Sequence, residues 1–189
     1  MSKPDHEAIP PVATCFTPEF LNPESADSAL YWLRHHVAWE RERFTIFGRT
    51  RLVPRSLAWF GDSGVSYRYT GIEHTAHGWP RDLQRLRSAV EAHSGARFNF
   101  LLANRYDDGS QYMGWHRDDE PECSPLIASL SLGATRRFRI AAADPSDAAL
   151  VYDLGHGSLL IFDGRRRHTL CKTQRRVAQR INLTFRQVQ

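Results

Sequence analysis

Cysteine is scarce in this chain. Cys15, Cys123 and Cys171 are the only three in 189 residues, odd in number and irregularly spaced, which excludes a disulfide framework and a cysteine-built zinc motif. Such usage fits a reducing compartment, expected to be cytoplasmic, or nuclear in a eukaryote. Long apolar runs are also missing: no stretch approaches the ~20 residues that cross a bilayer. Residues 1–11 are polar and proline-containing, without the apolar centre of a secretion signal. No membrane partner is therefore expected. Repeats and low-complexity tracts are absent, as is any linker that would split the chain. Nor is there a large excess of one charge. Twenty-five Lys and Arg against 21 Asp and Glu leave a net +4, too little by itself to imply a nucleic-acid partner. The basic residues are nonetheless clustered, at Arg136-Arg137, Arg165-Arg166-Arg167 and Arg175-Arg176. Each cluster is either a solvated face or a contact for a polyanion.

What is present describes one ordinary globular domain, working as a monomer. The 41% hydrophobic and 24% charged content is typical, and the length suffices for a single core. Residues 1–20 read as an N-terminal arm or edge strand and 21–189 as one domain. Asn22, Pro23 and Glu24 open a helix as cap, first-turn residue and first-turn acid. Ala29, Leu30, Leu33 and Val37, with Tyr31 and Trp32, give it an apolar stripe ending near Trp39. A second helix covers about residues 80–92, with Leu83, Leu86 and Val90 on one side. Strands are expected at 65–69, 98–106, 126–132, 137–141, 158–162 and 180–188, with a hairpin loop at 144–149. Helices followed by a run of strands predict an α+β, mainly β fold. A double-sheet jelly roll with two supporting helices is the best candidate.

The chemistry concentrates in residues 104–122. His116 and Asp118 are two apart, so on an extended backbone both side chains leave one face and can converge on an ion. A second imidazole would complete the two-His, one-carboxylate set that holds non-haem Fe(II) and leaves positions open. His168, after the strand at 158–162 and the turn Asp163-Gly164, is placed to return toward the pair. His156, beside two glycines, is the second candidate. His35, His36, His74, His77 and His93 lie on helices or polar loops. In the last strand, alternation puts Arg180, Asn182, Thr184 and Arg186 on one face and Ile181, Leu183 and Phe185 on the other. Inward arginines need anions, and beside iron they suit a dicarboxylate. Asn104 and Tyr106 share a face of an earlier strand and can add hydrogen bonds.

These segments together resemble the AlkB family of Fe(II) and 2-oxoglutarate dependent dioxygenases. The resemblance rests on Asn104-x-Tyr106-x-x-Gly109, Trp115-His116-x-Asp118-Asp119-Glu120, residues 127–134, Gly157-Ser158-Leu159-Leu160 and residues 180–186. It runs from about Ile46 to the C-terminus. It implies a double-stranded β-helix over about 96–189 and a nucleotide-recognition lid within about 44–80. It also implies oxidative dealkylation of 1-methyladenine and 3-methylcytosine type bases in DNA, with O2 consumed and succinate, CO2 and formaldehyde released. The implied iron ligands are His116, Asp118 and His168. The implied 2-oxoglutarate contacts are Asn104, Tyr106, Arg180, Asn182 and Arg186. Upstream, Phe47 matches a residue that in some relatives wedges into the duplex where the damaged base was, Pro54-Arg55 with Gly61-Asp62 continues the pattern of substrate contacts, and Tyr67 and Tyr69 match lid positions near the flipped base. Asp119 and Glu120 would favour a cationic methylated base over a neutral one. One departure stands out. Only Arg165-Arg166-Arg167 separates Gly164 from His168, where the family pattern has a longer loop, and Cys171 stands where proline is common.

Several alternatives follow from the residues alone. Tyr67 and Tyr69 fit a packed core as well as a lid, and Asp119 and Glu120 fit a plain surface. The same oxygenase could act on RNA or tRNA. The ligand triad with Glu120 as general base would suit a zinc hydrolase. A disabled site would leave a nucleic-acid binder.

Overall fold

In the computed structural model, residues 12–189 are described, apart from 42, 47, 48, 53, 54, 70 and 145. Every strand pairing is antiparallel. A six-stranded sheet runs β1 (Cys15–Thr17), β12 (Ser158–Asp163), β9 (Leu126–Gly133), β14 (Arg180–Arg186), β7 (Phe100–Tyr106) and β4 (Ser56–Gly61). A four-stranded sheet runs β11 (Leu150–Leu154), β10 (Arg136–Ile140), β13 (His168–Leu170) and β8 (Met113–His116). Two hairpins complete the set: β2 (Arg43–Ile46) with β3 (Arg49–Leu52), and β5 (Ser66–Tyr69) with β6 (Ile72–Thr75). The chain is thus mainly β with two helices, as composition and pattern predict. Strands β4, β6, β8 and β11 fall outside the segments where the sequence pattern predicts strands. The segment expected as an arm or edge strand contains β1, whose Phe16 pairs with Leu160 of β12.

Strict alternation in the large sheet separates two environments. Leu101, Ala103, Leu130, Ile181, Leu183 and Phe185 point to one face, where they pack with Leu30, Leu33, Leu83 and Val90 of the helices. The opposite face carries Asn104, Tyr106, Arg180, Asn182 and Arg186 on β7 and β14. Its apolar members Ile127, Leu160 and Phe162 pack with Phe138, Ile140 and Leu170 of the small sheet. The face carrying the functional candidates is therefore enclosed between two sheets.

Helix α1 (Pro23–His36) starts as expected: the Asn22 side chain accepts from the Ser25 amide at 2.8 Å, and Pro23 occupies the first turn. It ends before Trp39, whose indole donates to the Leu33 carbonyl at 3.1 Å. Tyr31, expected on the stripe, is 62% exposed and stacks on His35, because one residue along a helix rotates it about 100° away from Leu30.

Helix α2 (Arg81–Ser94) stops at Gly95, which takes the left-handed conformation (φ 69°) and donates to the Glu91 carbonyl at 2.9 Å. The Glu91 carboxylate meets the Phe98 amide at 2.9 Å, and Arg87 and Arg97 each at 3.2 Å. Burial works to raise this carboxyl, but its three donors outweigh that and hold it below the ordinary value. Its stabilising contribution is therefore present above the unfolded value near ~4.3 and fades as pH falls. Glu91→Gln is expected to cost about 1–3 kcal/mol at pH 7. The difference from the parent should shrink toward pH 3 in thermal melts.

Candidate metal centre and cosubstrate cavity

Strands β8 and β13 pair with His168 directly opposite His116, so the register of the small sheet brings the two imidazoles together. Their ring centroids lie 4.2 Å apart in an edge-on arrangement. Asp118 Oδ1 is 3.8 Å from His116 Nε2, and its Oδ2 is 3.5 Å from His168 Nε2. One ligand atom from each of the three residues fits within 4.8 Å of the others. Both Nδ1 atoms face backbone carbonyls, Gly114 O at 2.7 Å for His116 and Arg166 O at 2.8 Å for His168. A carbonyl only accepts, so Nδ1 carries the proton in each ring and the Nε2 lone pair is left for an ion. Burial, then the neighbouring His168, lowers the His116 value. That keeps the ring neutral, as a ligand must be.

Asp118 reaches this position by a different route from the one expected. Strand β8 ends at His116, so a shared strand face does not orient the carboxylate. Instead the Asp118 amide donates to Gly164 O at 2.9 Å, and Gly164 N donates to Pro125 O at 2.8 Å. A Cβ on Gly164 would sit 2.8 Å from the Asp118 carbonyl oxygen and 2.5 Å from Ile127 Cδ1. Gly164→Ala must therefore push the Asp118 backbone away. We expect roughly a ten-fold or greater loss of Fe(II) affinity and about 1–3 kcal/mol of stability from overpacking. Anaerobic iron titration and thermal melts would check both.

Arg180 and Arg186, at opposite ends of β14, do different work. Arg186 donates to Asp118 Oδ2 at 2.7 Å and lies over the Tyr67 ring at 5.0 Å. Burial opposes charge on both members of this pair. Their mutual attraction wins, holding Asp118 well below the carboxylate range and Arg186 above its usual value. Arg180 is 2% exposed, and among the described residues it has no carboxylate partner. Its guanidinium donates to Ser131 Oγ at 2.9 Å and lies over the Tyr106 ring at 5.6 Å, while its Nε is buried without an acceptor. Burial pulls its value down to about 10, so it is still a cation at neutral pH. A buried cation without an anion is costly, and this one lines the same cavity as the triad.

The remaining candidates sort by position. Asn104 lines the cavity and accepts from Arg55 Nε at 2.7 Å through its Oδ1. The buried Arg55 also donates to the Tyr69 hydroxyl. Tyr106 lines the cavity beneath Arg180. Asn182 is occupied by its own sheet: Nδ2 donates to Ser129 Oγ and Leu130 O, and Oδ1 accepts from Thr184. Tyr69 lines the cavity, and burial pushes its hydroxyl up to about 12. Tyr67 is fully buried against Phe100, behind the cavity wall. Asp119 is exposed. Glu120 is half-buried, and burial raises its carboxyl against the pull of Arg186. Phe47 lies outside the described residues. His156 accepts from the Gly133 amide at 2.9 Å and pairs with Asp27 at 3.2 Å, shaping a turn as its flanking glycines suggest. Ser129 and Ser131, which hold Asn182 and Arg180, were missed. The alternation of serine with Ala128, Leu130 and Leu132 was their signal.

The sequence profile described as the 2OG-Fe(II) oxygenase superfamily matches residues 13–186. This chain belongs to that superfamily and, within it, to the AlkB family. It is 39% identical over 159 residues to DNA oxidative demethylase ALKBH2 of Homo sapiens, covering 77% of this chain and 61% of that protein. It is 35% identical over 188 residues to the alpha-ketoglutarate-dependent dioxygenase alkB homolog 3 of Rattus norvegicus, covering 92% and 63%. The chain thus spans about three-fifths of the length of these curated relatives. Among solved structures, OsALKBH1 superposes with a TM-score of 0.65 at 18% identity, covering 95% of this chain and 98% of that one. That likeness bears on the fold alone. The superfamily's Fe(II) and 2-oxoglutarate fit the residues present. His116, Asp118 and His168 offer the nitrogen and oxygen donors of an iron site, and Arg180 is a buried cation in need of a carboxylate. Among the described residues, no helix of this AlkB-family chain is long and apolar enough to cross a membrane.

Proposed function

We propose that this chain oxidatively removes N-linked methyl groups from 1-methyladenine and 3-methylcytosine type bases in DNA. The observation that carries the reading is the pairing, in one cavity, of the His116, Asp118 and His168 donor set with the carboxylate-free Arg180. The names of the relatives supply the DNA substrate. A zinc hydrolase built on the same triad has no use for Arg180. The two facing sheets are read as a double-stranded β-helix, with residues of about 44–80 as a substrate lid. A monomer in a reducing compartment, cytoplasmic or nuclear, accompanies this reading, supported by three free cysteines.

Iron and 2-oxoglutarate, when bound, would supply the oxidising chemistry that hydroxylates an N-methyl group with O2, 2-oxoglutarate being converted to succinate and CO2. The hydroxymethyl group then collapses to formaldehyde and the repaired base. The protein's part is positional. His116, Asp118 and His168 would hold the ion, through the Nε2 lone pairs left free by the Nδ1 hydrogen bonds and the Asp118 carboxylate. Arg180, seated on Tyr106 and Ser131, fixes the distal carboxylate. Arg186 donates to Asp118 Oδ2, which fixes the carboxylate with Oδ2 toward His168 and Oδ1 toward His116. Arg55 anchors Tyr69 and Asn104 at the wall, and Tyr69 remains protonated, able to donate to a base. Glu120, half-buried nearby, gains from a cationic methylated base what a neutral one does not offer.

Formaldehyde release from one methylated sequence, prepared as DNA and as RNA, tests the substrate. Release from DNA that requires both Fe(II) and 2-oxoglutarate is expected. Release from RNA alone would transfer the activity to RNA, and release without 2-oxoglutarate would overturn the oxygenase reading for this site.

A further inference from the structure

The small sheet has an outer face as well as the inner one that holds the metal ligands. Trp115 and Arg117 flank His116 in sequence and line a groove on that outer side together with Arg139 and Arg167. Strand alternation explains the separation: on β10, Phe138 and Ile140 are buried inward while Arg139 is exposed. Arg139 stands opposite Thr169 of β13, one strand away from β8. Trp115 is 41% exposed, with the guanidinium carbons of Arg139 and Arg167 at 5.5 and 5.8 Å from its ring centroid.

The basic loop that replaces the longer family segment divides its labour. Arg165 pairs with Asp163 at 2.6 Å, and Arg166 donates to the Ala141 carbonyl, so both help fix the loop. Arg167 remains, and like Arg117 and Arg139 it has no carboxylate partner among the described residues. Cation–π contact orders a guanidinium without neutralising it. Trp115 thus holds two arginines in place with their charge available. Asp144 and Asp147 also line the groove. Asp144 is engaged by the amide and hydroxyl of Ser146 at 2.8 and 2.7 Å, whereas Arg139 and Arg167 are gathered at Trp115, one residue from a metal ligand. The other clusters differ: Arg136 is buried on the carbonyls of Asp108, Gln111 and Cys171, and Arg137 pairs with Asp153.

We infer that Arg139 and Arg167, ordered on Trp115, hold backbone phosphates of the DNA strand whose methylated base enters the cavity, the strand passing over the edge of β8. The inference rests on the DNA reading above. It requires a salt-dependent contribution, because each phosphate neutralised on a single strand releases counterions.

The test is binding of an unmodified, labelled single-stranded DNA oligonucleotide across a salt series. The parent, Arg139→Gln/Arg167→Gln and Arg139→Lys/Arg167→Lys chains are compared, with melting curves confirming that each is folded. The Gln pair should bind on the order of ten-fold more weakly at 0.1 M salt, with a slope of log affinity against log salt shallower by about 1.4. The Lys pair, which keeps the charge, should keep most of the slope. An unchanged slope in the Gln pair, or a loss that Lys does not rescue, overturns the groove. Formaldehyde release by the parent is measured separately on the methylated oligonucleotide. Dealkylation with an unchanged slope sinks the groove and leaves the function, whereas a lost slope without dealkylation does the reverse.

Discussion

Arg180→Met is expected to keep its melting temperature, or raise it, while losing 2-oxoglutarate. In the parent chain this buried guanidinium meets Ser131 and the Tyr106 ring and, among the described residues, no carboxylate. Replacing a buried, uncompensated charge by an apolar side chain of similar reach is neutral or stabilising. Toward a carboxylate the same group is worth far more. Truncating one partner of a buried charged pair costs about 2–5 kcal/mol, or roughly 30-fold to several thousand-fold in affinity. Anaerobic calorimetry of 2-oxoglutarate binding to the Fe(II)-loaded chain, beside thermal melts, would show the split. A variant that melts much lower, with 2-oxoglutarate affinity intact, would assign Arg180 to the fold and not to the cosubstrate.

The second large effect belongs to Asp118. Asp118→Ala should lose iron, as should His168→Ala, but only the aspartate change strands a buried cation. Arg186 is 3% exposed and its carboxylate partner is Asp118 at 2.7 Å. Breaking a buried pair from one side costs about 3–5 kcal/mol. The double variant Asp118→Ala/Arg186→Met should recover most of that stability without recovering iron. Melts of the two singles and the double form a cycle whose coupling energy measures the pair. Near-additive losses would mean that Arg186 does not depend on Asp118.

These two arginines show how far the sequence could be read. Alternation along 180–186 places both on one face, because a strand repeats every two residues whatever its neighbours. It does not reveal that Arg186 meets the carboxylate of Asp118 while Arg180 meets the hydroxyl of Ser131, since those partners come from residues 68 and 49 positions away. His168 was legible for the same reason: a strand, a tight turn and a returning strand leave few positions that can face His116. The hold of Gly164 on Asp118 was not, because it depends on a backbone contact between distant loops. The basic clusters stayed open in sequence between a solvated face and a polyanion contact, because their partners are distant: Arg136 donates to the carbonyls of Asp108, Gln111 and Cys171, and Arg137 pairs with Asp153. Tyr67 fitted lid and core equally in sequence, and the structure places it in the apolar cluster with Phe100 and Leu102.

If His116, Asp118 and His168 together hold one iron that works with 2-oxoglutarate on methylated DNA, loss of one ligand must abolish both products. The most direct test counts succinate and formaldehyde formed from a 1-methyladenine oligonucleotide by the Fe(II)-loaded chain and by His168→Ala. Equal amounts of the two products are expected from the parent chain, none without 2-oxoglutarate, and none from the variant. Formaldehyde from a folded His168→Ala chain, at the parent's rate, would contradict this ligand set.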